Sequence, residues 1–265
     1  MANCSPIWPW TLRWVMNLRL RLGDFLSIMA LMSQNKQAPM IVRLGGSILF
    51  NNAEVATELL GALRDLFVSV AGAGQRLLIV VGGGRVCRQF QQAGRAVGIS
   101  DAAELDRIGL AVIRAQAELV RASCGALAQP NILQSFDDLI DWSRPIVVSG
   151  GTAPGWSTDY VASVWASKVG AATIVKGSNI AYVYEGDPRV NPQAQPQKRL
   201  TWPQYRQLIA KNWEPGMSTP FDPVAAEYSQ DKGLAVNFFE ARNLKAFTAA
   251  LSGQPFEGTI ISNAS

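Results

Sequence analysis

The sequence predicts an α/β protein in which helices cover both faces of a mainly parallel sheet. The first observation is a set of short apolar runs bounded by Gly, Ser or Arg, a pattern typical of buried strands. The second is that segments with helical spacing of apolar residues separate the earlier runs. The predicted strands are Met40–Leu44, Leu77–Val81, Ile146–Ser149 and Ala172–Lys176, with later candidates at Leu234–Phe239 and Gly258–Ser262.

Three helices are predicted between these strands, because apolar residues recur there at the spacing that places them on one helix face. The positions are Val55, Leu59, Leu63, Leu66 and Val70 in the first, Val86, Phe90, Ala93 and Val97 in the second, and Leu105, Ile108, Val112 and Leu119 in the third. In the second helix, Arg88 and Arg95 lie on another face. A proline-bearing stretch, Asp187–Gln197, predicts a surface loop.

The composition excludes several kinds of site. The 265 residues, 48% hydrophobic and 17% charged, suit one α/β domain or two small lobes. Histidine is absent, which excludes Ser-His and Cys-His nucleophiles and His-ligated metals. Cys4, Cys87 and Cys124 form neither a CxxC pair nor a disulfide framework, so a reducing, cytoplasmic compartment is predicted. No stretch approaches the roughly 20 apolar residues that span a bilayer.

The net charge of +4 is concentrated in residues 1–39, which contribute +3 and leave +1 for the rest of the chain. A nearly neutral core gives little support to nucleic-acid binding. The same segment carries Trp8, Trp10 and Trp14. A membrane-surface helix is one interpretation of these residues, and a poorly ordered extension is the one we favour. The globular domain is therefore predicted to span residues 40–265.

Glycines follow three of the predicted strands, at Gly45-Gly46-Ser47, Gly82-Gly83-Gly84-Arg85 and Gly150-Gly151-Thr152. Ligands of open α/β sheets bind at the carboxyl edge of the strands. Glycine there lets backbone N–H groups approach an anion, and the following helix adds its partial positive charge. Each motif alone is equally consistent with a tight turn, but three together favour a phosphate site. Neither GxxxxGK[ST] nor GxGxxG is present, which argues against a P-loop and a dinucleotide fold.

Charged residues lie close to these glycines. Arg43 and Lys176 fall within or at the end of apolar strands, where an idle charge is costly, so both are candidates for stabilising a transferring phosphoryl group. Asp159 falls near a helix start. It is either a carboxylate stabilised by the helix dipole or the group that organises the catalytic cations or Mg²⁺.

The motifs, taken in order, resemble those of the amino-acid-kinase superfamily, and most closely its archaeal-type UMP kinases. The resemblance runs from about Met40 to Ile261. The motifs that carry it are Val42–Ser47, Val81–Arg88, Leu105–Gly109, Ser149–Asp159 and Ser178–Arg189.

The resemblance implies a three-layer αβα sandwich, with residues 40–140 binding mainly the acceptor and residues 141–265 mainly ATP. It implies direct transfer of the γ-phosphoryl group of ATP to UMP, with Mg²⁺ bound mainly through the nucleotide phosphates and no protein metal site. Relatives of this kind commonly assemble as hexamers built from dimers. No nucleic-acid partner and no membrane span are expected.

The resemblance also implies roles for individual residues. The candidate catalytic residues are Arg43, Asp159 and Lys176. The positions matching the ATP site are Gly46, Ser47, Gly84, Arg88, Ser178, Asn179, Tyr184 and Asp187. The positions matching the acceptor site are Gly83, Asp106, which matches the ribose-holding acid, and the loop residues Thr152, Ala153, Pro154, Gly155, Trp156, Ser157 and Thr158.

Four residues, at three places in the chain, depart from the family pattern. Arg43 stands where a lysine is often found, Ala181-Tyr182 where Asp-Gly is usual, and Gln116 where an Asn is common. These changes leave two alternatives open. One is a kinase of the same fold that acts on another small phosphate or carboxylate, and the other is a non-catalytic nucleotide- or anion-binding relative.

Overall fold

The computed structural model describes residues 38–51, 54–186, 188, 190–212 and 219–264. The predicted extension 1–39 therefore lies, except for residues 38 and 39, outside the described residues, and so does Asp187. In the described part of the chain, no helix is long and apolar enough to cross a membrane.

A seven-stranded sheet forms the centre of the described domain. The strands in chain order are β1 (Met40–Leu44), β2 (Phe50–Asn51), β3 (Glu54–Val55), β4 (Leu77–Val81), β5 (Ile146–Ser149), β6 (Thr173–Ser178), β7 (Val183–Tyr184), β8 (Pro196–Gln197), β9 (Arg199–Thr201), β10 (Ala235–Glu240) and β11 (Thr259–Ser262). The sheet order is β5-β4-β1-β6-β10-β11-β9. Only the β10–β11 pair within it is antiparallel, which confirms a mainly parallel sheet. The pairs β2–β3 and β7–β8 are separate short antiparallel ladders.

The helices lie between the strands. They are α1 (Gly46–Leu49), α2 (Thr57–Gly72), α3 (Gly84–Ala96), α4 (Ala102–Ser123), α5 (Thr158–Val169), α6 (Trp202–Asn212), α7 (Pro223–Asp231) and α8 (Leu244–Leu251), with a 3₁₀ turn at Gly125–Leu127. Several starts are fixed by side-chain caps, since the Asp101, Ser157 and Asp222 side chains accept from backbone N–H groups of α4, α5 and α7. Gly170, in the left-handed conformation at φ 73°, ends α5.

Helices pack on both faces of the sheet, as the alternation predicted. Phe238 and Phe239 are neighbours in β10 and point to opposite faces. Phe238 joins the apolar cluster that includes Trp165 of α5 and Tyr205 of α6. Phe239 packs at 4.9 Å on Phe247 of α8. The three-layer αβα arrangement is therefore confirmed.

Most strands of the sheet were predicted from the sequence, and the ends of some are shifted by one or two residues. The first three predicted strands have the observed bounds, whereas β6 and β10 begin one residue later than predicted and extend to Ser178 and Glu240. The predicted surface loop Asp187–Gln197 contains β8 at its end. Helices α6, α7 and α8 were not predicted from the sequence.

The helix predicted from the apolar stripe Val86, Phe90, Ala93 and Val97 is present as α3, but this stripe does not face the core. Phe90 is 55% exposed and Val97 79% exposed, while the buried residues of α3 are Cys87 and Gly94. The reason is close packing on α4. A Cβ on Gly94 would lie 3.0 Å from the Leu105 side chain, so the two helices approach through a glycine instead of through large apolar groups. We refer to Val86, Phe90, Ala93 and Val97 as the α3 stripe.

Candidate phosphate-transfer site

Three glycine turns meet at the carboxyl edge of the sheet. Turn 1 (Gly45–Ser47) follows β1, turn 2 (Gly82–Arg85) follows β4 and turn 3 (Gly150–Thr152) follows β5. These strands are neighbours and run parallel, so their carboxyl ends share one edge. Turn 2 leads directly into α3, whose first N–H groups face the same edge. The structure therefore brings together the glycines that the sequence placed at three strand ends.

Turns 1 and 2 touch backbone to backbone. A Cβ on Gly46 would lie 2.2 Å from the carbonyl oxygen of Gly82, and a Cβ on Gly84 would lie 2.3 Å from the backbone nitrogen of Ser47. Gly84 also adopts a left-handed φ of 61°, which L side chains rarely adopt. No side chain fits at either position, so the two turns form one continuous backbone surface.

Turn 3 packs on α4 in a similar way. A Cβ on Gly150 would lie 2.8 Å from the Cβ of Ala117. Gly151 adopts a left-handed φ of 63°, and a Cβ on it would lie 2.8 Å from the Leu110 side chain. The turn ends at Thr152, whose buried hydroxyl oxygen has no hydrogen-bond partner among the described residues. This orphaned hydroxyl is available to a ligand.

A buried ion cluster lies at the same edge. The β1–β6 register pairs Arg43 with Lys176, and Asp159, the second residue of α5, reaches both. Arg43 Nε lies 2.7 Å from Asp159 Oδ1, as an ion pair without hydrogen-bond alignment. Lys176 Nζ lies 2.6 Å from Asp159 Oδ2 and donates a hydrogen bond to it. The carboxylate is thus held between two cations.

Burial and charge act on this cluster in opposite directions. Lys176 and Asp159 are 4% and 5% exposed. Burial lowers the pKa of Lys176 to about 8, against the opposing pull of the Asp159 carboxylate. Burial alone would raise the pKa of Asp159, but the charges of Arg43 and Lys176 outweigh it and hold that pKa below its ordinary value. At neutral pH the cluster therefore carries one excess positive charge.

The Arg43 guanidinium extends this charge to the glycine turns. Its Nη2 donates to Thr158 Oγ1 at 2.8 Å. A Cβ on Gly45 would lie 3.1 Å from Arg43 Nη1, and a Cβ on Gly82 would lie 3.1 Å from Arg43 Nη2. The guanidinium thus lies between turn 1, turn 2 and the start of α5, where it can face an anion bound on the turns.

Two residues that the sequence analysis missed complete the cluster. The backbone N–H of Asp222 donates to Asp159 Oδ2 at 3.0 Å. The Phe221 ring lies under Lys176, with Nζ 4.9 Å from the ring centroid. The hydroxyl of Tyr205 accepts from the N–H of Phe221 and donates to the Phe221 carbonyl oxygen. A contact made by a backbone N–H leaves no signal in the sequence.

Residues matched to the acceptor site form a tethered loop. Asp106 Oδ2 accepts from the N–H of Gly155 at 2.8 Å, which joins α4 to the segment between turn 3 and α5. Trp156, 46% exposed, packs on Phe136 and Tyr160, with ring centroids 5.1 and 5.4 Å apart. In the same segment Ala153 is half-buried, Pro154 is exposed, Ser157 caps α5 and Thr158 contacts Arg43.

Residues matched to the ATP site lie on both sides of β1, because Gly84 and Arg88 follow β4 whereas Ser178 and Asn179 lie at the end of β6. Ser178 ends β6 and the exposed Asn179 follows it. Tyr184, in β7, makes an edge-to-face contact with Tyr182 at 6.2 Å, so the departure at Ala181-Tyr182 adds an aromatic ring beside a predicted ATP residue. Arg88 is exposed on α3. Among the described residues, no group of three or more His, Cys, Asp or Glu side chains is arranged to hold a metal.

Comparisons with known proteins show which family the chain belongs to. The sequence profile of the Amino acid kinase family matches residues 39–239. The uridylate kinase of Methanocorpusculum labreanum is 30% identical over 84% of this chain and 95% of that protein. The uridylate kinase of Methanosarcina mazei is 31% identical over 81% of this chain and 91% of that protein.

Solved structures share the fold. The uridylate kinase of Archaeoglobus fulgidus superposes with a TM-score of 0.72 at 26% identity, covering 84% of this chain and all of that chain. A Synechocystis aspartate kinase superposes with a TM-score of 0.64 at 18% identity, over 85% of this chain and 40% of that one, and supports the fold alone. By sequence profile, relatives and architecture, this chain belongs to the amino acid kinase family.

Proposed function

We propose that this protein is a nucleoside monophosphate kinase that makes UDP from UMP and ATP. The observation that carries the proposal is the buried cluster of Arg43, Asp159 and Lys176 beside the joined glycine turns. Relatives named uridylate kinase, matched over more than nine-tenths of their length, support UMP as the acceptor.

The reaction needs positioning and charge rather than a general base. The second pKa of a phosphate monoester is about 6, so the phosphate of UMP is ionised at neutral pH and can attack directly. One of its oxygens forms a bond to the γ-phosphorus of ATP while the bond to the β–γ bridging oxygen breaks, and ADP leaves. Catalysis of such transfers comes mainly from stabilising charge on the transferring group. A chain without histidine suits this chemistry.

Within this scheme we assign Arg43 and Lys176 to charge stabilisation. Arg43 lies next to both turns, and its planar fork can donate to two phosphate oxygens at once. Asp159 is the organiser of the two cations. Because both of its oxygens are occupied by cations and a backbone N–H, Asp159 does not fit as a protein ligand for Mg²⁺. We expect Mg²⁺ to arrive with the donor phosphates and assign no step to it.

The remaining roles follow the predicted sites. Gly46, Ser47 and Gly84 would face the ATP phosphates, with Arg88 nearby and the adenosine beside Ser178, Asn179, Tyr184 and Asp187. Gly83 would face the acceptor phosphate, and the loop Thr152–Thr158 would wrap the base. Asp106 can hold the ribose while it accepts from Gly155, since a carboxylate has about four acceptor positions. The division into halves at residues 140 and 141 remains part of this proposal, as does the cytoplasmic location.

The α3 stripe supports the proposed homo-oligomer, a hexamer built from dimers. An apolar helix face exposed to water favours association with another surface. In a two-fold dimer the same patch serves both subunits, so one self-complementary helix face is enough. Arg88 and Arg95 on α3 are exposed and lie outside this stripe.

The direct test of the proposed function is turnover with defined nucleotides. We expect Mg-ATP to be consumed with UMP and much more slowly with CMP, AMP or GMP, followed as ADP release. Selective turnover with another small phosphate or carboxylate would show that the protein is a kinase with an acceptor other than UMP. Binding of ATP without turnover on any acceptor would contradict the enzyme and favour a binding role.

The lowered pKa of Lys176 predicts a pH dependence. As the pH rises through about 8, the lysine loses its proton and the cluster loses its excess charge. We therefore expect kcat/KM, which reports groups of the free enzyme, to fall on the basic side with a midpoint near that value. Lys176→Met is expected to be slow and to lack this midpoint. A parent profile that stays flat from pH 7 to about 9.5 would contradict the assignment.

The proposed oligomer predicts a surface variant. Phe90→Glu places a charge in the middle of the α3 stripe and is expected to dissociate the parent assembly, as measured by light scattering. Val224→Glu, at another exposed apolar position, is the matched control and should leave the mass unchanged. Equal masses for the parent and Phe90→Glu would show that the α3 stripe is not part of the interface.

A further inference from the structure

A buried amide on α4 contacts turn 2. Gln116 is 3% exposed, and its Nε2 donates to the carbonyl oxygen of Gly83 at 3.2 Å. Its Oε1 is also buried and has no hydrogen-bond partner among the described residues. An apolar side chain of similar size would avoid burying that oxygen unpaired. The amide therefore donates one hydrogen bond to turn 2, while its own oxygen stays buried without a partner among the described residues.

The orientation of the Gly83 carbonyl fixes the direction of the next N–H group, that of Gly84. In a trans peptide the carbonyl of one residue and the N–H of the next point in opposite directions. Gln116 Nε2 and the N–H of Cys87 both donate to the Gly83 carbonyl, each at 3.2 Å. The N–H of Gly84 must then point away from these two donors.

The same peptide is in contact with turn 1. A Cβ on Gly84 would lie 2.3 Å from both the carbonyl carbon of Gly46 and the nitrogen of Ser47. A rotation of the Gly83–Gly84 peptide would therefore displace turn 1 as well. The two turns carry, in the proposed function, the acceptor and donor phosphates.

We propose that Gln116 is a positioning residue for phosphoryl transfer. Its hydrogen bond to Gly83 holds the Gly83–Gly84 peptide in the orientation that presents the Gly84 N–H to a phosphate and keeps turn 2 in register with turn 1. It acts through turn 2 and does not touch the reacting atoms. This inference rests on the proposed function and adds a residue outside the predicted catalytic and binding sets.

The test replaces the amide without changing its volume. Gln116→Met removes the donor, and we expect kcat to fall about tenfold or more because small misplacements of reacting groups are costly, while the dissociation constants of UMP and ATP change less than about threefold. Gln129→Met is the matched control, since Gln129 is also buried and bonded to backbone groups of Asn131 and Asp141. It should alter Tm but leave kcat within about twofold.

A second readout is independent of turnover. Amide hydrogen exchange of a peptide spanning Gly82–Arg85 is expected to be faster in Gln116→Met than in the parent, and unchanged in Gln129→Met. If the parent fails to phosphorylate UMP, the proposed function fails, and this exchange experiment still decides the positioning role. Unchanged exchange, or a kcat within about twofold of the parent, overturns the inference. Gln116→Leu replaces the methionine variant if the latter does not fold.

Discussion

The buried carboxylate of Asp159 is the group on which the site depends, because it neutralises one of two cations held inside the protein. Arg43 and Lys176 come from neighbouring strands, and the β1–β6 register sets their side chains beside each other. Without the carboxylate, two like charges would face each other in a medium that screens them weakly. Removing one partner of a buried ion pair costs about 3–5 kcal/mol. The cluster therefore joins β1, β6 and α5 as well as charging the site.

The second constraint is the absence of side chains on turns 1 and 2. Their backbones touch, so the surface that the two turns share is bare backbone whose position is fixed by packing. Helix α4 packs against turns 2 and 3 and bonds to the loop before α5. Ala117 meets turn 3, Gln116 holds turn 2, and Asp106 tethers the loop that precedes α5. One helix thus contacts turn 2, turn 3 and the loop before α5, and so links three separate segments of the site.

The sequence revealed the parts of this arrangement that depend on local pattern. Short apolar runs located the central strands, and glycines after strands located the turns. Burial cost singled out Arg43 and Lys176, because a charge in an apolar strand needs a partner. That Asp159 is this partner was only one of two interpretations of its position near a helix start. The pairing of β1 with β6 is set by strand order across more than a hundred residues and has no local signature.

Other features lay beyond the reach of a single sequence. The period of α3 was read correctly, but periodicity cannot tell which face meets the core when a glycine such as Gly94 allows close packing. The Asp222 contact is made by a backbone N–H and depends on no side-chain type. Gln116 was noticed as a departure from the family pattern, yet its hydrogen bond to Gly83 depends on how α4 lies beneath turn 2.

The most direct measurement of the central claim is a double-mutant cycle in kcat/KM between Asp159→Asn and Lys176→Met. If Asp159 acts through the cations it holds, the double variant should lose little more than the more damaging single variant, giving a coupling energy of about 1 kcal/mol or more. Losses that simply add would show that the two residues act separately, and would contradict an account in which one carboxylate organises the charge of the site.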